Sequence, residues 1–435
     1  MNRNTNEKKK ISAFDKVIGY DSIKTELLQI CDMIHNRDVY EALGAKLPHG
    51  VLLYGAPGLG KTLMAKCFIE ESGLEAFVMR RDKGSNDFIN EITDMFRTAK
   101  EKAPCIVFLD DLDKFANEDM MLRDAEEYVA VQAGIDEVKN SDVFVLATVN
   151  KKGKLPDSLL RTGRFDKKIE VQCPTDRDAN EIIAYYLSDK KVSESVNVDD
   201  LTKMISYSSC AELETILNEA AINAAYRRKT SIGMEDLIKA VLRMQYDSPD
   251  NNNKTSDEDM KRTAMHEAGH LVVSEVLCPG SVGLASLRCN GINATGGFVK
   301  HCKEFQERQA YVFVALAGKA AVELNYSETC ANGCRSDIQR AFQIIQDEME
   351  SGTYGFGMID MVTDHFCSSS ENMYSRNEAA TYAELERFMV KTRDILLKNR
   401  VFLEKAADAL LEKGTLLASD IKAISDSVTI TAAAS

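Results

Sequence analysis

The sequence predicts an α/β domain with a parallel sheet flanked by helices, then a small helical domain, then a larger and mainly helical domain. Three observations support this division. Apolar runs alternate with amphipathic helical patterns up to residue 172, which is typical of a parallel sheet covered by helices. From Pro174 onward the pattern is helical. A stretch rich in Asp, Asn and Ser, which includes Pro249, then separates off the remainder of the chain.

The strands of the first domain are predicted from short, mostly apolar runs, which are typical of strands buried on both faces. These runs are residues 51–54, 76–79, 105–109, 143–148 and 168–172. The helical patterns among them are residues 23–34, 63–69 and 88–103. Further helices are predicted at residues 178–187, 199–205, 211–227, 234–244, 307–324 and 336–349. Hairpins are expected in residues 281–301, which are rich in Gly and β-branched residues.

These elements divide the chain of 435 residues, which has room for two or three domains of ordinary size. The predicted parts are a disordered tail (1–13), the α/β domain (14–173), the small helical domain (174–246), a linker (247–258), the mainly helical domain (259–420) and a second tail (421–435).

The composition indicates a soluble globular protein with an acidic surface. Hydrophobic residues make up 44% of the chain and charged residues 28%, as in ordinary soluble domains. The 54 Lys and Arg against 68 Asp and Glu give a net charge of −14. The one basic block is Lys8-Lys9-Lys10. Because this excess of negative charge repels phosphate backbones, we expect no general binding of nucleic acid.

Cysteine usage and hydropathy favour the cytoplasm. The eleven cysteines are odd in number and scattered, and no signal-peptide pattern precedes them. Such usage favours a reducing compartment over a disulfide framework. The longest candidate for a membrane span, residues 310–318, ends at Lys319 and is too short to cross a bilayer. We therefore expect a cytoplasmic protein with no membrane span of its own.

A glycine-rich loop follows the first predicted strand and precedes a helix. Its residues fit GxxxxGK[ST]: Gly55, Ala56, Pro57, Gly58, Leu59, Gly60, Lys61 and Thr62. Glycines let the backbone approach phosphates, and the N–H groups at the start of the helix point at negative charge. Lys61 is then expected to reach the β- and γ-phosphates and Thr62 to hold Mg²⁺. The alternative, an ordinary glycine-rich turn, does not account for the strand and helix on its two sides.

Polar residues follow two later strands at the same predicted edge of the sheet. The apolar run 105–109 ends in Asp110 and Asp111, and the run 143–148 is followed by Asn150. We expect Asp110 to reach the Mg²⁺ shell, Asp111 to polarise the attacking water, and the Asn150 amide to orient that water. A solvated acidic turn is the alternative for the two carboxylates, and the preceding phosphate loop disfavours it.

The last domain carries an HExxH pattern on a predicted buried helix. His266 and His270 are four residues apart, so they share a helix face and can bind one zinc ion. Glu267 lies between them and can act as a general base toward a water molecule. Two hydrogen-bonded core histidines are the structural alternative.

The third zinc ligand is left open by the residues alone. Asp337 lies in the first turn of a predicted helix, where Ser336-x-x-Gln339 looks like a capping box and an Asp suits the helix dipole. Glu323 is a second candidate on residue type. The cysteines of this region fit no zinc pattern and are expected to be free thiols: Cys289, Cys302, Cys330 and Cys334.

Several blocks together, in order and spacing, resemble the FtsH-type AAA zinc metalloproteases along residues 11–417. The blocks are residues 14–19, 55–62, 105–113, 147–150, 159–166, 218–221, 266–270, 316–324 and 336–341. An AAA motor joined to a later HExxH is a combination found in few other families. The resemblance implies an ATP-driven ring, usually a homohexamer, that unfolds proteins and passes them to a zinc protease ring. The small helical domain would then be the AAA lid domain.

The resemblance also assigns roles residue by residue. It matches Asn150 with the first sensor, Arg161 and Arg164 with paired fingers that reach the γ-phosphate of a neighbouring subunit, and the backbone of Ile18 and Gly19 with the adenine cradle. His266, His270 and Asp337 match the three zinc ligands, and Glu267 matches the catalytic glutamate. Asp337 thereby rises above Glu323 as the third ligand.

The sequence departs from the family pattern in four places. We expect the amino-terminal membrane spans of the family to be absent. Asp111 stands where the family usually has Glu. The stretch Arg80-Arg81-Asp82-Lys83-Gly84 has no aromatic residue where the family's pore loop usually has one. Ser209-Cys210-Ala211-Glu212 replaces the frequent Ser-Gly-Ala-Asp.

These departures keep three interpretations open. The leading one is a soluble ATP-dependent zinc endopeptidase that acts on protein or peptide substrates, with Zn²⁺, ATP and Mg²⁺ as cofactors. The second is a remodelling ATPase that does not cut, against which the intact HExxH argues. The third is a zinc peptidase with a weak motor that cuts only unfolded chains.

Overall fold

A computed structural model describes residues 12–81, 85–116, 125–246, 256–288, 296–326, 333–351 and 371–432. These residues form two compact units. The first comprises Met1–Asp189 and Tyr207–Thr215, and the second comprises Lys190–Ser206 and Ile216–Ser435.

The first unit is built on a five-stranded parallel sheet with the order β2-β3-β4-β1-β5. The strands are β1 (Gly50–Tyr54), β2 (Glu75–Met79), β3 (Cys105–Leu109), β4 (Val143–Val149) and β5 (Lys167–Glu170). Every residue of β3 and β4 is buried, because helices cover both faces of the sheet, as the apolar runs predict. The carboxyl ends of β1, β3 and β4 meet at one edge, which carries the nucleotide motifs.

Nine helices lie in the described residues before position 247. They are α1 (Asp21–His35), α2 (Arg37–Glu41), α3 (Lys61–Ser72), α4 (Ser85–Glu101), α5 (Ala125–Val138), α6 (Asp176–Leu187), α7 (Val198–Met204), α8 (Cys210–Tyr226) and α9 (Met234–Tyr246). The core beneath α4 and α5 is formed by aromatic and aliphatic side chains, among them Phe88, Phe96 and Phe115. The predicted α/β domain with parallel sheet and flanking helices is confirmed.

The second unit packs helices around a small sheet. Its later helices are α10 (Asp257–Leu277), α11 (Arg308–Tyr326), α12 (Arg335–Glu350), α13 (Glu371–Lys398), α14 (Arg400–Lys413) and α15 (Ala418–Asp426). Strands β6 (Val282–Ser286), β7 (Phe298–His301) and β8 (Thr415–Leu417) form an antiparallel sheet with the order β7-β6-β8. Strand β7 is at the edge and pairs with β6 alone among the described strands. The predicted hairpin is therefore present.

The end of α9 contacts this edge strand. The rings of Tyr246 and Phe298 stack with centroids 3.9 Å apart and planes 19° apart. The Lys300 Nζ donates to Gln245 Oε1 over 3.0 Å. Two successive residues of α9 thus hold two residues of β7.

The structure corrects the predicted carboxyl-terminal tail. Residues 421–426, assigned to the tail, belong to α15, because Ile421 is buried in the core of the second unit. The start of α15 is tied down by Asp200, whose carboxylate accepts from the Ser419 N–H over 2.8 Å. Beyond the helix, Thr431 exchanges two hydrogen bonds with Asn399.

Some predictions fall outside the described residues. Most of the amino-terminal tail, most of the linker, residues 82–84 of the predicted pore loop, Cys289 and Cys330 do so. In the described part of the chain, no helix is both long and apolar enough to span a membrane.

Candidate functional site

The glycine-rich loop connects β1 to α3 and surrounds the Lys61 ammonium. Lys61 opens α3 and is 5% exposed. Its Nζ donates to the carbonyl oxygens of Gly55 (2.8 Å) and Ala56 (2.7 Å) and to Asn150 Oδ1 (2.9 Å). Burial lowers the pKa of Lys61, while the carboxylates of the neighbouring aspartates raise it. The loop thus holds a positive charge at its centre, as a phosphate site requires.

Asp110 and Thr62 lie side by side at the carboxyl edge of the sheet. The Thr62 and Thr148 hydroxyls both donate to Asp110 Oδ1, over 2.9 Å and 2.7 Å. Asp110 is buried, since it directly follows β3. Adjacent hydroxyl and carboxylate oxygens are ligands that Mg²⁺ accepts beside a phosphate.

Asp111 is held on three sides by its own chain. Its backbone is in the left-handed region, with φ 53°. Lys114 Nζ is 2.6 Å from Asp111 Oδ2, Arg80 Nη2 is 3.5 Å from the same oxygen, and Asn150 Nδ2 donates to Oδ1 over 3.1 Å. Burial raises the pKa of Asp111, but the Lys114 and Asn150 hydrogen bonds and the Arg80 charge outweigh that effect and lower it. The carboxylate is therefore ionised and engaged.

A cavity of about 530 Å³ adjoins the loop. Ile18 lines it, together with the loop residues from Pro57 to Thr62, Asp111 and Asn150. Four other predicted residues do not line the cavity but are close in sequence to residues that do: Gly19, Gly55, Ala56 and Asp110. Several further side chains line the cavity, and the sequence did not single them out for this site: Lys16, Tyr20, Lys114, Ile182, Tyr185, Tyr186, Cys210 and Glu214.

The two predicted arginine fingers differ in their surroundings. Arg164 forms a double contact with Asp136, Nε to Oδ1 over 2.9 Å and Nη2 to Oδ2 over 2.7 Å, and also contacts the Ser158 carbonyl. Arg161 is exposed, and no hydrogen bond or ion pair of its side chain occurs among the described residues. Neither arginine lines the 530 Å³ cavity.

His266, His270 and Asp337 converge on one point in the second unit. The Nε2 atoms of the two histidines of α10 are 3.0 Å apart. Asp337 Oδ2, from the first turn of α12, is 3.2 Å from the Nε2 of His266 and 3.4 Å from that of His270. These three residues form a group with one potential ligand atom each within 4.8 Å of the others.

The ring nitrogens that point away from this group have partners of their own. His270 Nδ1 donates to the Val314 carbonyl over 2.7 Å, which orients the His270 ring so that its Nε2 faces the group. The Cys334 thiol sulfur is 3.8 Å from His266 Nδ1. Burial raises the pKa of Asp337, but hydrogen bonds from both imidazoles outweigh burial and hold it well below its usual range. The donor set therefore consists of two imidazoles and one carboxylate.

Glu267 is almost fully buried beside this group, with 3% of its surface exposed. The Gly297 N–H donates to its Oε1 over 3.2 Å. Burial raises the pKa of Glu267, and the nearby imidazoles oppose that rise. Its carboxylate is thus positioned by the chain just before β7.

Two glycines allow the backbone to approach these side chains. A Cβ on Gly318 would lie 2.4 Å from His266 Cε1 and 2.5 Å from His270 Nε2. A Cβ on Gly297 would lie 2.5 Å from Glu267 Cγ. No side chain fits at either position without displacing the site, so both glycines are part of its construction.

The structure separates the alternatives for the third carboxylate. Both oxygens of Glu323 are paired, one with Lys319 and the other with Arg393. Helix α12 begins at Arg335 with Cys334 at its N-cap, and no side-chain cap hydrogen bond is present. The predicted capping box at Ser336 is therefore wrong, and Asp337 faces the histidines instead. Cys302 and Cys334 are buried free thiols.

A second cavity, of about 540 Å³, opens around the three converging residues. Its wall includes strand β7, where His301 Nε2 is 2.8 Å from Ser274 Oγ. The Ser274 hydroxyl itself donates to the His270 carbonyl over 2.7 Å, so His301 Nε2 is the donor of the pair. Burial lowers the pKa of His301 to about 4, with smaller contributions from the charges of His270 and Arg340. No sequence motif indicated His301.

Comparison with known proteins identifies two family domains in this chain. Residues 51–173 match the ATPase family associated with various cellular activities (AAA). Residues 253–424 match peptidase family M41. The first match covers the sheet and its glycine-rich loop, and the second covers the group around His266.

The chain is also similar to known proteins along almost its whole length. The chain is 30% identical to the ATP-dependent zinc metalloprotease FtsH 3 of Symbiobacterium thermophilum, over 96% of this chain and 71% of that protein. It is equally similar to proteins named ATP-dependent zinc metalloprotease FtsH from Caldicellulosiruptor bescii, covering 95% and 72%, and Leptotrichia buccalis, covering 96% and 57%. The order of the domains, the shared motifs and this coverage agree, and the chain belongs to the FtsH-type family of AAA zinc metalloproteases.

Proposed function

We propose that this chain is an ATP-dependent zinc endopeptidase that unfolds and degrades protein substrates. The observation that carries the proposal is the convergence of His266, His270 and Asp337 on one point, with the buried Glu267 beside them. Family membership supports the same activity.

The three residues fit a catalytic zinc ion. Zinc sites of this class use three protein ligands from imidazole and carboxylate groups, at about 2.0–2.2 Å, and keep one position open. Ligand atoms at such distances from a tetrahedral ion lie about 3.3 Å from one another. The three observed separations, 3.0, 3.2 and 3.4 Å, agree with this value. His266, His270 and Asp337 would therefore hold the ion.

Glu267 supplies the proton chemistry of peptide hydrolysis. Zinc, when bound, supplies Lewis acidity that polarises the scissile carbonyl and makes a water molecule acidic. Glu267 removes a proton as the water oxygen bonds to the carbonyl carbon, and later delivers it to the leaving amine nitrogen when the C–N bond breaks. The Gly297 N–H keeps this carboxylate oriented, and the burial of Glu267 keeps competing water away from it.

The nucleotide cavity supports binding of ATP with Mg²⁺. In this proposal the loop backbone and Lys61 bind the phosphates, while Thr62 and Asp110 hold Mg²⁺. Asp111 and Asn150 orient the attacking water, and the backbone at Ile18 and Gly19 lies along the base. Lys61, Thr62 and Asp110 are already gathered within hydrogen-bond distance of their neighbours at one sheet edge.

We further propose that the chain works as a homohexameric ring in the cytoplasm, on protein or peptide substrates and without nucleic acid. Arg161 and Arg164 would serve a neighbour's nucleotide in such a ring. The exposure of Arg161 supports a role toward another subunit, whereas Arg164 would first have to leave Asp136. Free thiols at every described cysteine agree with a reducing compartment.

A second candidate, a zinc peptidase with a weak motor that cuts only unfolded chains, is favoured by the state of Asp111. This carboxylate is one methylene shorter than the usual Glu and is engaged by Lys114 and Arg80. A remodelling ATPase without cleavage is the less favoured candidate, because Glu267 and the three ligands form a complete peptidase site.

One experiment separates the three candidates. Zinc content and casein cleavage are measured for the purified chain, with ATP, without ATP, and for Glu267→Gln. The leading proposal expects bound zinc and cleavage that requires ATP. Equal cleavage of casein with and without ATP would favour the weak motor. Bound ATP with no cleavage under any condition would favour the remodelling ATPase.

A further inference from the structure

Two arginines line the cavity around the zinc-binding group, and only one of them has partners among the described residues. Arg262, on α10, is within 3.4 Å of Glu258 and lies over the Tyr326 ring at 5.7 Å. Arg340, on α12, lines the same cavity. It is exposed, and among the described residues no hydrogen bond or ion pair of its guanidinium occurs. Arg340 thus offers its five N–H donors to whatever enters the cavity.

The helix places Arg340 close to the reacting centre. Asp337 and Arg340 are three residues apart on α12, so they lie on neighbouring positions of one helix face. The charge of Arg340 also reaches strand β7, since it contributes to lowering the pKa of His301 on the facing wall. Arg340 of α12 and His301 of β7 both line the same cavity.

The acidic residues of the cavity wall are already committed. Asp259 lies in the first turn of α10 and accepts from the Ser256 hydroxyl over 2.6 Å. Glu267 accepts from Gly297, and Asp337 contacts both histidines. Arg340 is therefore a cation of this wall whose guanidinium forms no ion pair with any carboxylate of the described residues.

We propose that Arg340 is a specificity-determining residue, which binds a carboxylate of the peptide substrate close to the bond that is cut. The proposal rests on the peptidase function proposed above. A guanidinium recognises a carboxylate through two parallel N–H···O hydrogen bonds, and an amide of the same shape cannot supply the charge. Peptides with Asp or Glu at one position beside the cleaved bond should therefore be preferred over peptides with Asn or Gln.

The local nature of this preference is its distinguishing property. With a net charge of −14, the chain as a whole repels acidic peptides. A preference for a carboxylate can thus arise only from a cation within the cavity, and it should be confined to one substrate position.

The test uses pairs of fluorogenic peptides that differ only in Glu or Gln, with this residue moved one position at a time across the cleaved bond. For the full chain with ATP and zinc, we expect kcat/KM to favour Glu roughly ten- to a hundredfold at one position. Arg340→Gln should abolish this preference, and Arg340→Glu should shift it toward Lys. Arg335→Gln is the matched control, since Arg335 is exposed on the same helix and does not line the cavity.

The outcomes distinguish a side-chain carboxylate from a terminal carboxylate. They also distinguish failure of the Arg340 inference from failure of the proposed peptidase function. Each peptide is made with a free and with an amidated carboxyl terminus. A preference that depends on the free terminus supports Arg340 but assigns it to a terminal carboxylate. Equal cleavage of all Glu and Gln pairs, or a preference that survives in Arg340→Gln, would overturn the inference. If the wild type cut no peptide although it bound zinc, the peptidase function itself would fail.

Discussion

In the proposed mechanism Glu267 is the general base and Asp337 is a zinc ligand, so variants of the two residues should fail in different ways. Glu267→Gln keeps the shape and removes the base, and we expect normal zinc content and ATP turnover with peptide cleavage reduced at least a hundredfold. Asp337→Ala removes a ligand, so zinc affinity should fall as well. Zinc analysis of both variants after dialysis, beside a cleavage assay, checks this. Full zinc and full cleavage in Asp337→Ala would show that the ion is held elsewhere.

Asp111, the residue proposed to polarise the attacking water, is one of the four departures from the family pattern. The side chain is short and is held by Lys114 and Arg80, so it reaches an attacking water from farther away. We predict that Asp111→Glu speeds ATP hydrolysis several-fold while the affinity for ATP stays within a factor of two or so, because Lys61 and Asp110 are unchanged. Steady-state hydrolysis and nucleotide titration measure the two quantities. Unchanged or slower hydrolysis would mean that Asp is not a handicap.

Site residues can be predicted from the sequence where they belong to a motif of fixed spacing. Lys61 and Thr62 belong to one short local pattern, and His266 and His270 belong to another. Lys61 and Thr62 line the first cavity, and His266 and His270 line the second. The third ligand was different, since a helix-capping role explained Asp337 equally well until the resemblance favoured the metal. His301 and Arg340 could not be predicted, because they reach the cavity through the packing of separate elements and belong to no pattern.

At the scale of elements, the close packing of α10 against α11 builds the zinc site. Gly318 of α11 lies against both imidazoles, where a Cβ would be about 2.4–2.5 Å from ring atoms. We predict that Gly318→Ala weakens zinc binding by more than tenfold and lowers the free energy of unfolding by about 1–3 kcal/mol, since overpacking must displace a helix or a ligand. Zinc competition with a chelator and chemical denaturation measure the two effects.

A matched glycine shows whether the loss is specific. Gly153 has no atom within 4 Å of a would-be Cβ and has no positive φ. Gly153→Ala should therefore leave both zinc affinity and stability unchanged. Equal behaviour of the two variants would remove the packing argument.

Element boundaries were predictable where the apolar pattern is strong. The five strands of the sheet begin and end within a few residues of the apolar runs. The predicted start of α12 at Ser336 lies one residue from the observed start at Arg335, whereas the capping role of Ser336 is wrong, because Cys334 occupies the N-cap and forms no side-chain cap hydrogen bond. Helix α15 was assigned to a tail, because a short helix held by Asp200 has few residues of its own to reveal it.

At the scale of the whole molecule, Arg161 lies outside the nucleotide cavity of its own chain, so as an arginine finger it would have to serve the nucleotide of a neighbouring subunit. We predict that Arg161→Ala and Lys61→Ala chains are each inactive in ATP hydrolysis and that their mixture recovers part of the activity. In a ring, some interfaces then combine an intact loop with an intact arginine. A mixture of the Lys61→Ala chain with a chain that carries both Lys61→Ala and Arg161→Ala should recover no ATP hydrolysis. Equal inactivity of both mixtures would argue against sites shared between subunits.

The contact between α9 and β7 couples the position of α9 to the wall of the zinc cavity. Tyr246 and Gln245 hold the same strand whose other residues line the zinc cavity. A displacement of the end of α9 would therefore act directly on one wall of that cavity. By reciprocity, a peptide that binds along this wall must bias the position of α9 by the same free energy. Binding of a peptide in the zinc cavity would then change the position of α9, although the peptide does not contact α9.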